Sequence, residues 1–469
     1  MSQPIHYLTI AALSAEIETR RLSPVEVTEH MLARIEALDG RLKSYATVMA
    51  ESAMAEARQV EAEIAAGNYK GKLHGVPVAV KDLCYTKGVR TMGGLKVLAD
   101  FVPDFDATVV RLLRDAGAVL LGKLNLTEGA MAGYNPDFDV PENPWRPSHW
   151  SGASSSGSGA ATAAGLAFAT LGSDTGGSIR HPAAVCGTVG LKPTYGLVSR
   201  YGVLDLAQTL DHVGPLTRSA IDAGIVTQAI AGHDPHDATS LPYPAPDLLA
   251  GIGKDVKGLR IGFDERYASE DMAPDFAAAV AAARDTMAGL GAEIVPVAMP
   301  ARLREYMEAW QVICTSEAAD AHRAFFPERA DEYGPWFRQW LEIGNRHSAT
   351  DYAAAHILRT ECNGEMRRLM SDIDLFLCPS TARAGFQVSP EISYGPIPPD
   401  RSPWNGRFTW PTDYAGLPTL AMPCGLSTDG LPLSFQLVGN HRTEALLVQA
   451  GAAYESATEW HKLHPPGWD

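Results

Sequence analysis

Positive charge is in short supply in this 469-residue chain: 39 lysines and arginines face 55 aspartates and glutamates, for a formal net charge of −16. So acidic a surface repels a phosphate backbone, and no Lys/Arg run supplies a local basic patch, which excludes nucleic acid as an expected partner. Cysteine is sparse too. Cys84, Cys186, Cys314, Cys362, Cys378 and Cys424 are scattered with no CxxC pair. That pattern argues against a disulfide framework or a zinc site and for buried thiols in a reducing cytoplasm. No apolar run approaches the roughly 18 residues a membrane helix needs, so no membrane association is expected. The N-terminal MSQPIHYLTIAALSAEIETRR lacks a basic region followed by an apolar one, so no signal peptide is read.

Familiar catalytic signatures are missing as well. There is no G-x-S-x-G elbow, no S-x-x-K, no HExxH, and no GxGxxG in a strand-to-helix context. The run from Gly117 to Leu124 matches P-loop spacing until its last position, where Leu124 stands in place of the Mg²⁺-binding Ser/Thr. Its middle residues read as a strand and not as a phosphate cradle. His233-Asp234-Pro235-His236 reads as a surface turn.

What is present is an α/β pattern. With 46% hydrophobic and 20% charged residues the chain can bury a large core. The first 70 residues read as helical, with Ser23-Pro24-Val25-Glu26 a capping box carrying proline at the first helical position. Short apolar runs at 76–80, 118–121, 168–171, 258–263, 292–297, 373–378, 418–423 and 431–438 read as strands. Helices are expected at 106–117 and 274–289, and the aromatic-rich 300–370 segment reads as a helical cap or pocket wall. The expected architecture is one large α/β domain over 1–469, with a central mixed, mainly parallel sheet flanked by helices and a helical cap insertion.

Residues 151–182, SGASSSGSGAATAAGLAFATLGSDTGGSIRHP, stand out from this background. A flexible linker would be polar on both sides. Here the serine/glycine run continues into a small-residue helix, a strand and a second glycine knot, which is the texture of packed interior. Together with Lys81 after GVPVAV and the run GSDTGGSIRHPAAVCGTVGLKPTYGLVSRYGV, this stretch resembles the amidase signature family over residues 74–216. Weaker likeness runs from residue 5 to 460 and includes FTWPTDYAGLPTLAMPCGLSTDGLPLSFQLVG. The resemblance implies a Lys–cis-Ser–Ser triad: Lys81 as the lysine, Ser154 as the serine in the cis peptide and Ser178 as the nucleophile. The sequence departs from the family's GGSSGGS by having Ala153 and Ser156 where glycines are usual, which leaves Ser155 as an alternative to Ser154.

These residue types suit the chemistry. A serine hydroxyl attacks an amide only if a base removes its proton. Lysine is such a base only when neutral, and burial is the lever that lowers its pKa from roughly 10.4 toward neutrality, at a cost of about 4 kcal/mol. A hydroxyl both donates and accepts, so Ser154 can relay the proton. The glycine knot offers backbone N–H groups of Thr175, Gly176, Gly177 and Ser178 as an oxyanion hole. Asp174 and Arg180 would brace that knot, and Met131 in NLTEGAMAGY is a candidate pocket residue. No metal or organic cofactor is called for.

The expected function is hydrolysis of small or aryl/apolar carboxylic amides, anilides or carbamates through a seryl acyl-enzyme. The expected partners are a small-molecule amide and, at most, a second copy in a homodimer. Two alternatives stand beside it: the glutaminase component of a tRNA-dependent amidotransferase, and a catalytically inactive amide-binding protein.

Overall fold

The computed structural model describes residues 4–399 and 401–468, so the outermost residues of the expected 1–469 span lie outside the described residues. Eleven strands form one sheet: β1 (Tyr45–Val48), β2 (Pro77–Lys81), β3 (Val119–Leu124), β4 (Ala169–Asp174), β5 (Val189–Lys192), β6 (His212–Thr217), β7 (Arg260–Phe263), β8 (Glu293–Pro296), β9 (Leu375–Pro379), β10 (Thr419–Leu426) and β11 (Pro432–Gly439). Their order across the sheet is β1-β3-β2-β4-β6-β5-β10-β11-β9-β7-β8. Helices cover it, and most strands are buried along their whole length, which is why they read as continuous apolar runs.

The single α/β domain with a mixed sheet is as expected, but the sheet is not mainly parallel. Among the described residues six of the ten strand pairings are antiparallel. The parallel pairs, β2 with β3 and β4 and β7 with β8 and β9, lie toward its two ends. The reason is local for β10 and β11: only Ser427–Leu431 separates them, too short for a crossover, so they form a hairpin. Strands β5 and β6 fall in segments whose small and polar residues give no apolar run.

The 1–70 segment also differs in one place. Its helices are Ile10–Glu18, Pro24–Leu42 and Ala50–Ala65, the second with the expected Ser23–Glu26 capping box. Between the last two, Tyr45–Val48 is a strand antiparallel to β3. Its aromatic and β-branched residues favour strand once an edge is available to pair with. Within 300–370, helices run over Leu303–Ala321, Pro335–Gly344 and Ala349–Leu369.

The serine/glycine stretch is interior. Helix Ser156–Ala163 is buried at every position. A Cβ on Gly157 would lie 2.5 Å from the carbonyl oxygens of both Asn125 and Ser44. Backbone meets backbone here, which only glycine permits. Gly40, in helix Pro24–Leu42, has nothing within 4 Å of the same position. Gly157→Ala is therefore expected to destabilise the protein by about 1–3 kcal/mol, and Gly40→Ala to stabilise it by up to about 1 kcal/mol. Equilibrium denaturation of the two variants checks the contrast; equal effects would refute the close-packing account.

Candidate active site

Strands β2 and β4 lie side by side and parallel, with Val80 opposite Leu171, so their C-terminal ends open on the same edge. Lys81 is the last residue of β2, and Ser173 is near the end of β4. The chain after β4 turns through Thr175–Ser178 into helix Arg180–Cys186, while Ser154 and Ser155 lead into helix Ser156–Ala163. The topology thus delivers Lys81, Ser154 and Ser178 from three separate segments to one place.

Lys81 is 0% exposed. Its Nζ donates to Ser154 Oγ at 2.7 Å, Ser155 Oγ at 2.9 Å and Ser173 Oγ at 2.9 Å. Among the described residues no carboxylate pairs with it. The adjacent Asp82 instead pairs with Lys123, at 3.1 Å, and both are buried. Burial pushes the Lys81 ammonium down to about 7. The Ala153–Ser154 peptide bond is cis.

The two candidate relay serines differ in how their hydrogen bonds are spent. Ser155 Oγ donates to the Ser173 carbonyl at 3.2 Å and accepts from the Ser173 amide at 3.3 Å as well as from Lys81. Ser154 Oγ has Lys81 as its one described hydrogen-bond partner. Ser178 is partly exposed, and among the described residues its hydroxyl makes no hydrogen bond. The structure therefore shows the link from Lys81 to Ser154 and leaves that from Ser154 to Ser178 unmade. The segments already adjoin, because the Ser155 amide donates to the Ser178 carbonyl at 3.3 Å.

The turn is held from several sides. Asp174 accepts from the amides of Gly177 at 2.5 Å and Ile179 at 3.0 Å, and its carboxylate forks onto Arg180 at 2.8 and 3.0 Å. Arg180 in turn donates to Thr412 Oγ1 and the Thr409 carbonyl. Arg180 holds the Asp174 carboxyl well below the usual carboxylate range. Trp310 Nε1 donates to the Thr175 carbonyl at 2.9 Å, and Thr409 Oγ1 to the Gly176 carbonyl at 2.7 Å. Of the four amides expected to face an oxyanion, that of Gly177 is thus committed to Asp174, leaving those of Thr175, Gly176 and Ser178.

Ser178 opens into a cavity of about 610 Å³. Trp310 and Trp410, stacked with centroids 4.0 Å apart, form one wall; Trp150 and Phe386, stacked at 5.3 Å, form another. Met131, a candidate on sequence grounds, lines it with Tyr134, as does His181, whose Nε2 lies 3.2 Å from Thr409 Oγ1. Trp310 lies in the aromatic-rich 300–370 segment read as a cap or pocket wall, but nothing in the sequence singles out Trp150, Trp410, Ser173 or His181. Trp310 and Trp410 come from segments more than 130 residues beyond the turn, and no local pattern marks them as facing it. Among the described residues no group of His, Cys, Asp and Glu is arranged to hold a metal ion, and no helix is long and apolar enough to cross a membrane.

Known proteins resemble this chain along most of its length. The family model described as Amidase matches residues 26–448. AmiD of Mycobacterium tuberculosis, an amidase by name, is 43% identical over 98% of this chain and 96% of its own. The A component of the glutamyl-tRNA(Gln) amidotransferase of Geobacter metallireducens is 40% identical over 97% of this chain and 98% of its own. The structure of peptide amidase from Stenotrophomonas maltophilia superposes with a TM-score of 0.85 at 30% identity, over 99% of this chain and all of that one.

The buried Asp174–Arg180 pair carries a test of how the turn is held. Asp174→Asn keeps the shape but removes the carboxylate that forks onto Arg180 at 2.8 Å, leaving among the described residues only the more distant Asp413 at 3.9 Å. It is expected to lower the unfolding free energy by about 3 kcal/mol or more. An unchanged denaturation midpoint would show that the pair does not hold the turn.

Proposed function

The chain belongs to the Amidase family, and from that premise we propose that it hydrolyses aryl or apolar carboxylic amides through an acyl-enzyme on Ser178. The observation that carries the reading is the dry, carboxylate-free Lys81 amine 2.7 Å from Ser154, beside a serine that opens into an aromatic cavity. At a pH above its own value the neutral Lys81 amine draws the Ser154 proton as Ser154 takes that of Ser178. Ser178 Oγ then attacks the substrate carbonyl carbon. Ser154 is assigned the relay because the Ser155 hydroxyl is already spent on the Ser173 carbonyl.

As the carbonyl becomes tetrahedral, its oxygen gains charge. The amides of Thr175, Gly176 and Ser178 are assigned as donors to it, presented by a turn whose Thr175 and Gly176 carbonyls are tied back by Trp310 and Thr409. The C–N bond breaks as Ser154 returns a proton to the leaving nitrogen. A water, deprotonated by the same Ser154–Lys81 pair, then hydrolyses the ester and frees Ser178. Met131 and the paired tryptophans contact the apolar body of the substrate.

The likeness to the amidotransferase component keeps glutamine as the competing substrate. The cavity argues against it: no aspartate or glutamate is among its described lining residues to take the α-ammonium of a free amino acid. The test is purified protein against 4-nitroacetanilide and glutamine in parallel. Anilide turnover is expected, and turnover of glutamine alone would reverse the ranking. Ser178→Ala and Lys81→Met are each expected to lower kcat by about 10³-fold or more.

The pH dependence follows from Lys81. Its neutral form is the base, and burial brings it to about 7, so kcat/KM should rise through about pH 7 and level off above it. A profile that falls over the same interval would show an ammonium at work. Ser154→Ala should cost far more than Ser155→Ala in kcat; the reverse order would move the relay to Ser155.

A further inference from the structure

The cavity differs in charge from the protein around it. The chain carries a net −16, yet the described lining includes two arginines, Arg383 and Arg401, and no acidic residue. Arg383 is exposed, its guanidinium 4.2 Å from the Phe386 centroid. Arg401 is partly buried, and its guanidinium carbon sits 5.6, 5.5 and 5.9 Å from the ring centroids of Trp336, Trp340 and Trp410.

A guanidinium has five N–H donors in a planar fork. Aromatic faces attract its charge but accept none of those hydrogen bonds in the way an oxygen does. Among the described residues no side chain or carbonyl accepts a hydrogen bond from the Arg401 guanidinium, and no carboxylate pairs with it, whereas the guanidinium groups of Arg180 and Arg407, both buried, are supplied with oxygen acceptors. Burial weighs against the Arg401 charge, a cost that an arriving anion would offset. Its position relative to the chemistry is also fixed. Trp410, one of the three rings, packs against Gly176, two residues before Ser178.

We propose that Arg401 is the specificity residue of this cavity: its caged guanidinium grips a carboxylate on the substrate, so that the amides this protein acts on are anionic. This deepens the hydrolase reading and rests on it. Arg383, at the exposed wall, adds to the same positive potential. The carboxylate sits on the acyl half or on the amine half of the amide, and the experiment distinguishes the two.

The test measures binding to the Ser178→Ala protein by calorimetry, which reads the anion site whether or not the wild-type protein cleaves anilides. Two matched pairs serve as probes. One compares 5-anilino-5-oxopentanoate with hexananilide, for a carboxylate on the acyl half. The other compares 4-acetamidobenzoate with 4′-methylacetanilide, for the amine half. The anionic member of at least one pair is expected to bind about 10- to 100-fold more tightly than its neutral partner. Added Arg401→Met should bring that ratio close to one, and Arg401→Lys, which keeps the charge but not the fork, should leave it intermediate. Should the methionine variant fail to fold, the lysine variant and the decline of the wild-type ratio with ionic strength still decide the matter. A ratio near one in the Ser178→Ala protein overturns the proposal. So does a preference that survives Arg401→Met and disappears in Arg383→Met.

Discussion

The site depends on one constraint: a lysine amine kept out of water, with which no carboxylate among the described residues pairs. Sheet geometry produces it. Lys81 closes a fully buried strand, and the next residue, Asp82, is turned away to Lys123, itself on the neighbouring strand β3. Asp82 and Lys123 neutralise each other, and Lys81 is left among three serine hydroxyls. Hydroxyls satisfy the hydrogen-bonding needs of an amine without stabilising its charge as a carboxylate would. Replace one of the three by an aspartate and the amine would stay protonated through neutrality. Of the three fully buried lysines, Lys123 is paired with Asp82, whereas Lys81 stands among hydroxyls and is poised near pH 7.

The second constraint is the shape of the turn after β4. A backbone that presents several amides to one point must hide its carbonyls on the other side, and each hidden carbonyl needs a donor. Here the donors come from afar, Trp310 from the helix Leu303–Ala321 and Thr409 from just before the helix Trp410–Tyr414. Asp174 binds the inner amides, and Arg180 ties that carboxylate to Thr412. The C-terminal third of the chain is therefore part of the site's framework as well as its cover. A variant far from Ser178 in sequence can disturb the turn through any of these bonds.

This explains what the sequence could and could not disclose. Lys81, Ser154 and Ser178 lie in local patterns whose small residues and apolar run advertise a crowded backbone beside a buried strand end. The strands that read as apolar runs are present. The short edge strand at 45–48 and the pair at 189–192 and 212–217 were not legible, because their conformation is set by the neighbours they pair with. The antiparallel majority of the sheet follows from which strands meet, a long-range property. The 300–370 segment read as a possible wall, but which tryptophans face the cavity, and that Arg401 joins them, was hidden for the same reason: a residue looks alike in the sequence whether it faces a core or a cavity. The commitment of Gly177 to Asp174, and the difference between Ser154 and Ser155, are matters of ångströms that no residue pattern encodes.

Lys81 and Arg401, two of the basic groups at this site, share a principle. Lys81 is surrounded by hydroxyls and Arg401 by indole rings, and among the described residues neither pairs with a carboxylate, although the chain is rich in them. The nearby acids are occupied elsewhere, Asp82 by Lys123, Asp174 by Arg180, Asp211 by Thr175 and the amides of Leu206 and Ala207. In a protein of net charge −16 such segregation keeps the cavity's positive potential unspent. A base that must be neutral to work and a guanidinium that must be vacant to bind make the same demand on their surroundings: polar or polarisable neighbours without negative charge. Under the proposed function that single rule, applied twice, supplies both the proton acceptor and the anchor for the substrate.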